Sequence, residues 1–327
     1  MSIKTANPSN IKDAAEIILS GGLVAMPTET VYGLAANALD GKAVAKIFAA
    51  KGRPQINPLI IHVYNAAQAE RYVVMDERSR RFADHFWPGP MTLILDKRED
   101  CAVSDLVSAG LPTIGVRCPA HHVAQDLLMV CDVPLAAPSA NASGTLSPTA
   151  PMHVAQSLGD KVDMILAGGS SDVGLESTII DARGAVPLIL RPGSITPEDI
   201  ESAFGVKAEF GFTNPDAPTS PGQLLKHYAP NADMRLNAVD LQDDEALLAF
   251  GSIKFMGLTS GGFVKDLPNE RVMNLSESGD LYEAASNLFA YLRQLDDSGF
   301  KRIAVMNIPD TGLGIAINDR LKRAAHK

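Results

Sequence analysis

Between residues 41 and 69 the chain carries Lys42, Lys46, Lys51, Arg53 and His62 but no carboxylate. Lys51-Gly52-Arg53-Pro54-Gln55-Ile56-Asn57-Pro58-Leu59 sets two fixed cations and an amide in a loop between a predicted helix and a predicted strand. Loops on a rigid scaffold are where binding groups concentrate. Gly52 allows close backbone approach to a ligand, and the prolines lower the loop's freedom. Lys42 and Lys46, at helical spacing, fit a solvated helix end complementing the macrodipole. Lys51 and Arg53, locked between Gly and Pro, fit an anion site.

Further polar loops follow predicted strands: Pro27-Thr28-Glu29-Thr30, Pro138-Ser139-Ala140-Asn141-Ala142-Ser143-Gly144, and Leu175-Glu176-Ser177-Thr178. Arg117 and Arg191 each end a strand and are closely followed by proline. Each could be ordinary turn chemistry. Together they suit an anion that also needs hydrogen-bond readout, such as a nucleotide or polyphosphate. There is no P-loop and no complete G-x-G-x-x-G; Gly312-Leu313-Gly314 supplies half of one, and tight strand-to-helix packing explains it better. No G-x-S-x-G elbow surrounds Ser139 or Ser143, and the seven histidines are scattered, which disfavours a serine hydrolase. Cys118 and His121 have metal-compatible spacing but no second ligand pair, so no metal site is expected. His62, among Ile60, Ile61 and Val63, reads as a half-buried strand histidine, and His121-His122 as a helix start.

The elements that must position these loops alternate irregularly. Helices are predicted over Asn10–Ser20, Lys42–Ala50, His121–Val130 and Met152–Leu158. Strands are predicted at Leu23–Met26, Leu59–Val63, Thr92–Leu95, Thr113–Arg117, Leu135–Ala137, Met164–Ala167, Ser177–Ile180 and Leu188–Leu190. That order implies a mixed α/β (α+β) sheet over residues 1–210. Residues 211–230 carry four prolines without apolar periodicity and read as a linker, in which Leu224-Leu225 followed by Lys226-His227-Tyr228 suits docking onto a neighbouring domain. Residues 231–327 read as a small α/β domain. Its clearest helix has Leu281, Ala284, Ala285, Leu288, Phe289, Leu292 and Leu295 on one face; a strand at Ile303–Ile308 and a helix over Gly312–Ala325 follow.

The length of 327 residues suits two domains. With 29 Lys+Arg against 38 Asp+Glu the net charge is −9, and neither half is basic: residues 1–215 have 17 against 23 and residues 216–327 have 12 against 15. That argues against tight nucleic-acid binding through bulk charge, though not against a local cationic pocket. Three cysteines without a C-x-x-C pair, a polar N-terminus and no apolar run of about 20 residues point to a cytoplasmic protein with no membrane span.

In their order, the loops resemble the threonylcarbamoyl-AMP synthase family, the YrdC-like enzymes of transfer-RNA modification. The matching stretches are PTETVYGL (27–34), KGRPQINPL (51–59), FWPGPMTLIL (86–95), TIGVRCP (113–119), APSANASG (137–144), GLESTIID (174–181) and LRPGSIT (190–196). SPGQLLKHYAP (220–230) and GLGIAINDRL (312–321) look like the longer, two-domain members. The resemblance implies a YrdC-like twisted sheet around a concave cavity and a small Rossmann-like C-terminal domain. It implies a nucleotidyltransferase that converts L-threonine, bicarbonate and ATP, with Mg2+ on the triphosphate, to threonylcarbamoyl-AMP and pyrophosphate. A downstream threonylcarbamoyl transferase complex would take the product to tRNA. Carried over by motif, Lys51, Arg53, Ser139 and Asn141 would be catalytic. Asn57, Thr113, Ser147, Arg191 and Tyr228 would join Arg53 and Ser139 around ATP, and Thr30, His62, Arg117, Ala137 and Ser177 would form the threonine pocket. His227 and Tyr228 in the linker would reach back over the nucleotide as part of a lid. Competing readings are an RNA-binding module and a related carbamoyl transferase.

Overall fold

A computed structural model describes residues 2–211, 220–221 and 227–326. The expected linker therefore lies largely outside the described residues. The chain divides into two units, and each is described by itself. The first comprises Met1–Ser143, Ser147–Asp172 and Glu176–Leu224; the second comprises Gly144–Leu146, Val173–Leu175 and Leu225–Lys327. Two three-residue segments from the first 210 residues thus belong to the second unit. Ala229 N–H donates to Gly144 O at 2.8 Å and Arg293 Nη2 to Leu146 O at 3.0 Å within it.

Strands of the first unit are β1 (Ser2–Thr5), β2 (Val24–Met26), β3 (Gly33–Asn37), β4 (Ile60–His62), β5 (Met91–Asp96), β6 (Thr113–Arg117), β7 (Leu135–Ala136), β8 (Met164–Ala167), β9 (Thr178–Asp181), β10 (Leu188–Arg191) and β11 (Glu209–Phe210). They form one mixed sheet in the order β1-β8-β2-β3-β7-β4-β6-β5-β9-β10-β11. The expected mixed α/β class is what the chain adopts. Period-two alternation sorts the central strands. Ile61, Leu93, Leu95, Ile114, Val116, Ile180 and Ile189 point into the main core. Their neighbours Ile60, Ile94, Ile179 and Leu190 cluster separately.

The helices start and stop where local chemistry demands. The first runs Pro8–Leu19, two residues earlier than the apolar periodicity suggests, because the Asn7 side chain caps it and Pro8 suits its first turn. It buries Ile11, Ala14, Ala15 and Ile18 in one cluster with Val123, Ala124, Leu127 and Leu128. The helix Gly41–Lys51 is capped by Asp40 and ends on Gly52 at φ 61°, a left-handed conformation that glycine adopts without a Cβ penalty. His121 caps Val123 N–H at 3.2 Å, the helix start expected of it. The helices Glu77–Phe86 and Pro197–Phe204 lie outside the sequence expectations; the first has charged side chains at half of its 10 positions, and the second opens on a Thr196/Asp199 capping box.

In the second unit β12 (Asp233–Ala238), β14 (Glu245–Ala249), β16 (Val272–Asn274) and β17 (Arg302–Met306) form a wholly parallel sheet, order β12-β17-β14-β16. A separate pair joins β13 (Asp240–Leu241) to β15 (Gly257–Leu258). The helix Leu281–Asp297 buries the whole apolar stripe read from sequence except Leu281 itself, each large side chain stabilising the fold by about 1.5–3 kcal/mol. A Cβ on Gly314 would lie 1.9 Å from Pro309 O, so close packing accounts for this glycine.

Candidate active site

Five strands of the first unit place one residue each in a row. His62 pairs in register with Arg117, Arg117 with Thr92, Thr92 with Ile179, and Ile179 with Arg191. Register partners share a sheet face, so the row lies opposite the main core. Ile60, Ile94, Ile179 and Leu190 form an apolar floor beside it. Gly115 keeps the floor open: a Cβ there would lie 3.2 Å from Ile60 and 3.4 Å from Thr92.

At one end of the row Arg117 is almost wholly buried. Its Nη1 donates to Thr30 Oγ1 at 2.8 Å and its Nε to Gly89 O at 3.2 Å, while Nη2 lies 2.7 Å from Glu29 Oε1. Among the described residues both Glu29 oxygens lack a hydrogen-bond partner, as does His62 Nδ1. Burial, and then the Arg117 charge, push the His62 imidazole down to about 3, so it is neutral near pH 7. Ala137 N–H donates to Ile60 O at 3.1 Å, which brings the strand end after β7 alongside. Ser177 Oγ and Thr92 Oγ1 are 2.7 Å apart, and Arg191 donates to Ser177 O from Nε (3.1 Å) and Nη2 (2.9 Å), with Nη2 also 3.1 Å from Ser177 Oγ. The structure therefore gathers Thr30, His62, Arg117, Ala137, Ser177 and Arg191 on one face.

The cationic loop builds the other end. Lys51 is buried, and its Nζ donates to the carbonyls of Ser139 and Asn141 at 2.5 Å each, while Ser143 N–H donates to Lys51 O at 2.7 Å. Burial first, then the nearby Arg53 guanidinium, hold the Lys51 ammonium well below its usual range; Glu176 opposes them. Arg53 donates from Nε to Asn57 O at 3.2 Å and from Nη2 to Pro58 O at 2.9 Å, so the loop folds round its guanidinium. The Asn57 side-chain amide is buried, with neither atom hydrogen-bonded among the described residues. Ser147 Oγ donates to Glu176 Oε1 at 2.5 Å. Thr113 opens β6 two residues before Gly115, which pairs with Ile60, so it lies level with Pro58. Four residues of extended strand, about 13 Å, then separate Thr113 from Arg117 on the same face.

Groups that sequence reasoning left without a role are Glu29, Thr92 and Glu176. Glu29 and Glu176 stood in the polar loops already singled out; Thr92 carried no signal except its place on an alternating strand. Tyr228 belongs to the second unit, where its buried ring lies 5.5 Å from Phe289 and 5.3 Å from the Arg320 guanidinium. Cys118 Sγ donates to Tyr64 O at 3.3 Å and accepts from Gln125 Nε2 at 3.2 Å, and burial pushes its thiol up to about 11. It is therefore an inert core thiol.

Residues 16–193 match the family model Sua5_yciO_yrdC, described as "Telomere recombination", and residues 195–326 match "Threonylcarbamoyl-AMP synthase, C-terminal domain". Threonylcarbamoyl-AMP synthase of Pyrococcus abyssi is 40% identical over 326 residues, covering 96% of this chain and 94% of that protein. The Bacillus subtilis protein of the same name is 37% identical, covering 98% and 94%. The crystal structure of P. abyssi Sua5 complexed with L-threonine superposes with a TM-score of 0.86 at 36% identity, over 99% of this chain and 96% of that one. Matches spanning both units, at this identity and length, show that the chain belongs to the threonylcarbamoyl-AMP synthase family.

Proposed function

We propose that this protein makes threonylcarbamoyl-AMP from L-threonine, bicarbonate and ATP, releasing pyrophosphate, as a nucleotidyltransferase of tRNA modification. The observation that carries the reading is the row His62–Arg117–Thr92–Ile179–Arg191, continued along β6 to the Lys51–Arg53 loop. It supplies a buried cation for a carboxylate, unpartnered polar atoms for an amino acid, and a second cationic region for phosphates.

Threonine's carboxylate takes the Arg117 guanidinium, the strongest partner on that face. Neutral His62 and the Ser177 and Thr30 hydroxyls are left to read the remaining polar groups. The amine adds to bicarbonate with loss of water, giving a carbamate. A carbamate oxygen then attacks the α-phosphorus of ATP, the bond to the β-phosphate bridge breaks, and pyrophosphate leaves. Little covalent help from the protein is needed; positioning and charge neutralisation dominate. In this reading Arg53, Asn57, Thr113, Ser147 and Arg191 contact ATP. Lys51 sets the Ser139 and Asn141 carbonyls in place and adds positive charge.

Mg2+ enters as part of the ATP substrate, on phosphate and water oxygens. Among the described residues no group of three His, Cys, Asp or Glu side chains gathers to hold a cation. No described helix is long and apolar enough to cross a membrane. The three cysteines are free, which suits the reducing cytoplasm, and the acidic net charge suits an enzyme that hands a diffusible product to a tRNA-binding transferase.

The test is pyrophosphate release by the purified protein given ATP, threonine and bicarbonate. Release should require all three. Equal release without threonine or bicarbonate would reject the reading, and activity with carbamoyl phosphate instead would favour a carbamoyl transferase.

A further inference from the structure

The second unit contains a cavity of about 670 Å³ that the proposed reaction does not use. It opens beyond the carboxyl ends of β14 and β16, two adjacent parallel strands. In open parallel sheets that edge is where ligands bind, because backbone loops diverge there and leave a crevice. The volume falls within the range of small-molecule sites, roughly 300–1,000 Å³.

Its walls are fixed before any ligand arrives. Gly251, two residues past β14 and left-handed at φ 70°, donates its N–H to Ser276 O at 2.7 Å and accepts from Asn274 Nδ2 at 2.8 Å. The loops leaving the two strands are thereby tied together. Lys254 and Lys265 line the cavity, and neither forms an ion pair among the described residues. Each ammonium instead lies over a phenylalanine ring, Lys254 5.6 Å from Phe255 and Lys265 5.5 Å from Phe263. Phe255 is 83% exposed. Tyr291 and Glu277 complete the polar lining, over an apolar wall that includes Val272.

We infer that this cavity binds a free nucleoside phosphate, a site separate from the ATP site proposed for the first unit. Lys254 and Lys265 take the phosphate oxygens. The apolar wall and Tyr291 offer a face for a base. Glu277, three residues beyond β16, accepts from sugar hydroxyls. A turn glycine after one parallel strand and an acid after its neighbour is the geometry used to read a nucleotide's phosphate and ribose. Here no α-helix follows the glycine turn, since residues 253–266 form turns, the short strand β15 and a single 3-10 turn at Val264–Asp266, so lysines replace the helix N-terminus as the phosphate partner.

The experiment is photolabelling of the full chain with 8-azido-AMP, peptide mapping, and protection by unlabelled AMP. Label is expected within residues 245–291, protected by AMP. Lys254→Ala/Lys265→Ala should cut that label at least tenfold while Lys254→Arg/Lys265→Arg retains it. Both lysines are exposed, so thermal unfolding and threonine-dependent pyrophosphate release should stay unchanged. Label confined to residues 1–211, or undiminished in the alanine variant, would overturn the inference. So would protection by a single-stranded RNA at a hundredfold lower concentration than AMP, which would make RNA the ligand. Failure of the proposed reaction would appear separately, as loss of threonine dependence in the wild type.

Discussion

Glu29 Oε1 lies 2.7 Å from Arg117 Nη2, yet the two are not aligned for a hydrogen bond, and neither Glu29 oxygen has another partner among the described residues. Both side chains are buried. A buried pair with such geometry recovers little of its desolvation cost. In the proposed reaction, such a pair keeps a buried cation ready for an incoming carboxylate that aligns with it better than Glu29 does.

Arg117→Met is expected to destabilise the protein by about 3–5 kcal/mol, because it strands a buried carboxylate. Glu29→Gln/Arg117→Met should recover most of that stability without restoring activity. Urea denaturation and pyrophosphate release, run on the same preparations, separate the two roles. Activity in the double variant would remove Arg117 from the site.

Arg117→Lys keeps the charge but loses the planar fork. A charged hydrogen bond contributes about 1.5–3 kcal/mol, so the KM for threonine should rise roughly 10- to 100-fold while that for ATP changes little. A parallel rise in both would place Arg117 elsewhere in the reaction.

Lys51→Met removes the donor to the Ser139 and Asn141 carbonyls and should cost about 1–3 kcal/mol of stability. The fold should survive and turnover should be lost. A native circular dichroism spectrum with normal kcat would deny Lys51 a functional role; an unfolded protein would make it structural.

His62 titrates at about 3 in the folded chain against 6.5 when unperturbed. The unfolded chain therefore binds a proton first as pH falls. The stability from neutral His62 is complete above about pH 6.5 and is lost toward pH 3, by up to about 1.4 kcal/mol per unit. Denaturation midpoints of wild type and His62→Gln, compared at pH 7 and pH 5, should converge as pH falls. Parallel curves would mean that His62 is already solvated.

Gly314→Ala would drive a Cβ against Pro309 O. Overpacking against backbone should destabilise the second unit by about 3 kcal/mol or unfold it. Calorimetry should show the loss; an unchanged melting curve would show that the Pro309 turn can move.

Much of the candidate site is legible from residue types alone. The acid-free Lys51–Arg53 loop, the Ser/Thr/Asn loops and the two strand-end arginines were visible because polar loops at strand ends are local features, written in consecutive residues. The same holds for the apolar stripe of Leu281–Asp297 and the stop at Gly52, which depend on helical period and on a single φ. The start at Asn7-Pro8 was equally local and was missed only because the apolar pattern begins later than the cap.

Tertiary structure alone decided which of these groups meet. Residues 62, 92, 117, 179 and 191 become neighbours through strand pairings that no short-range pattern encodes, since register depends on how five separated segments bury one common apolar face. His62 looks the same in sequence whether it is a satisfied core histidine or a ligand group; only the fold shows it buried beside Arg117, with Nδ1 unpartnered among the described residues. Glu29 needed its distance to Arg117 before it meant anything. Composition could set the net charge at −9, but only folding could bury Lys51 and Arg53 together and make an acidic chain locally cationic. Charge is summed along a sequence, whereas potential depends on distance and desolvation, and those exist only in the folded chain.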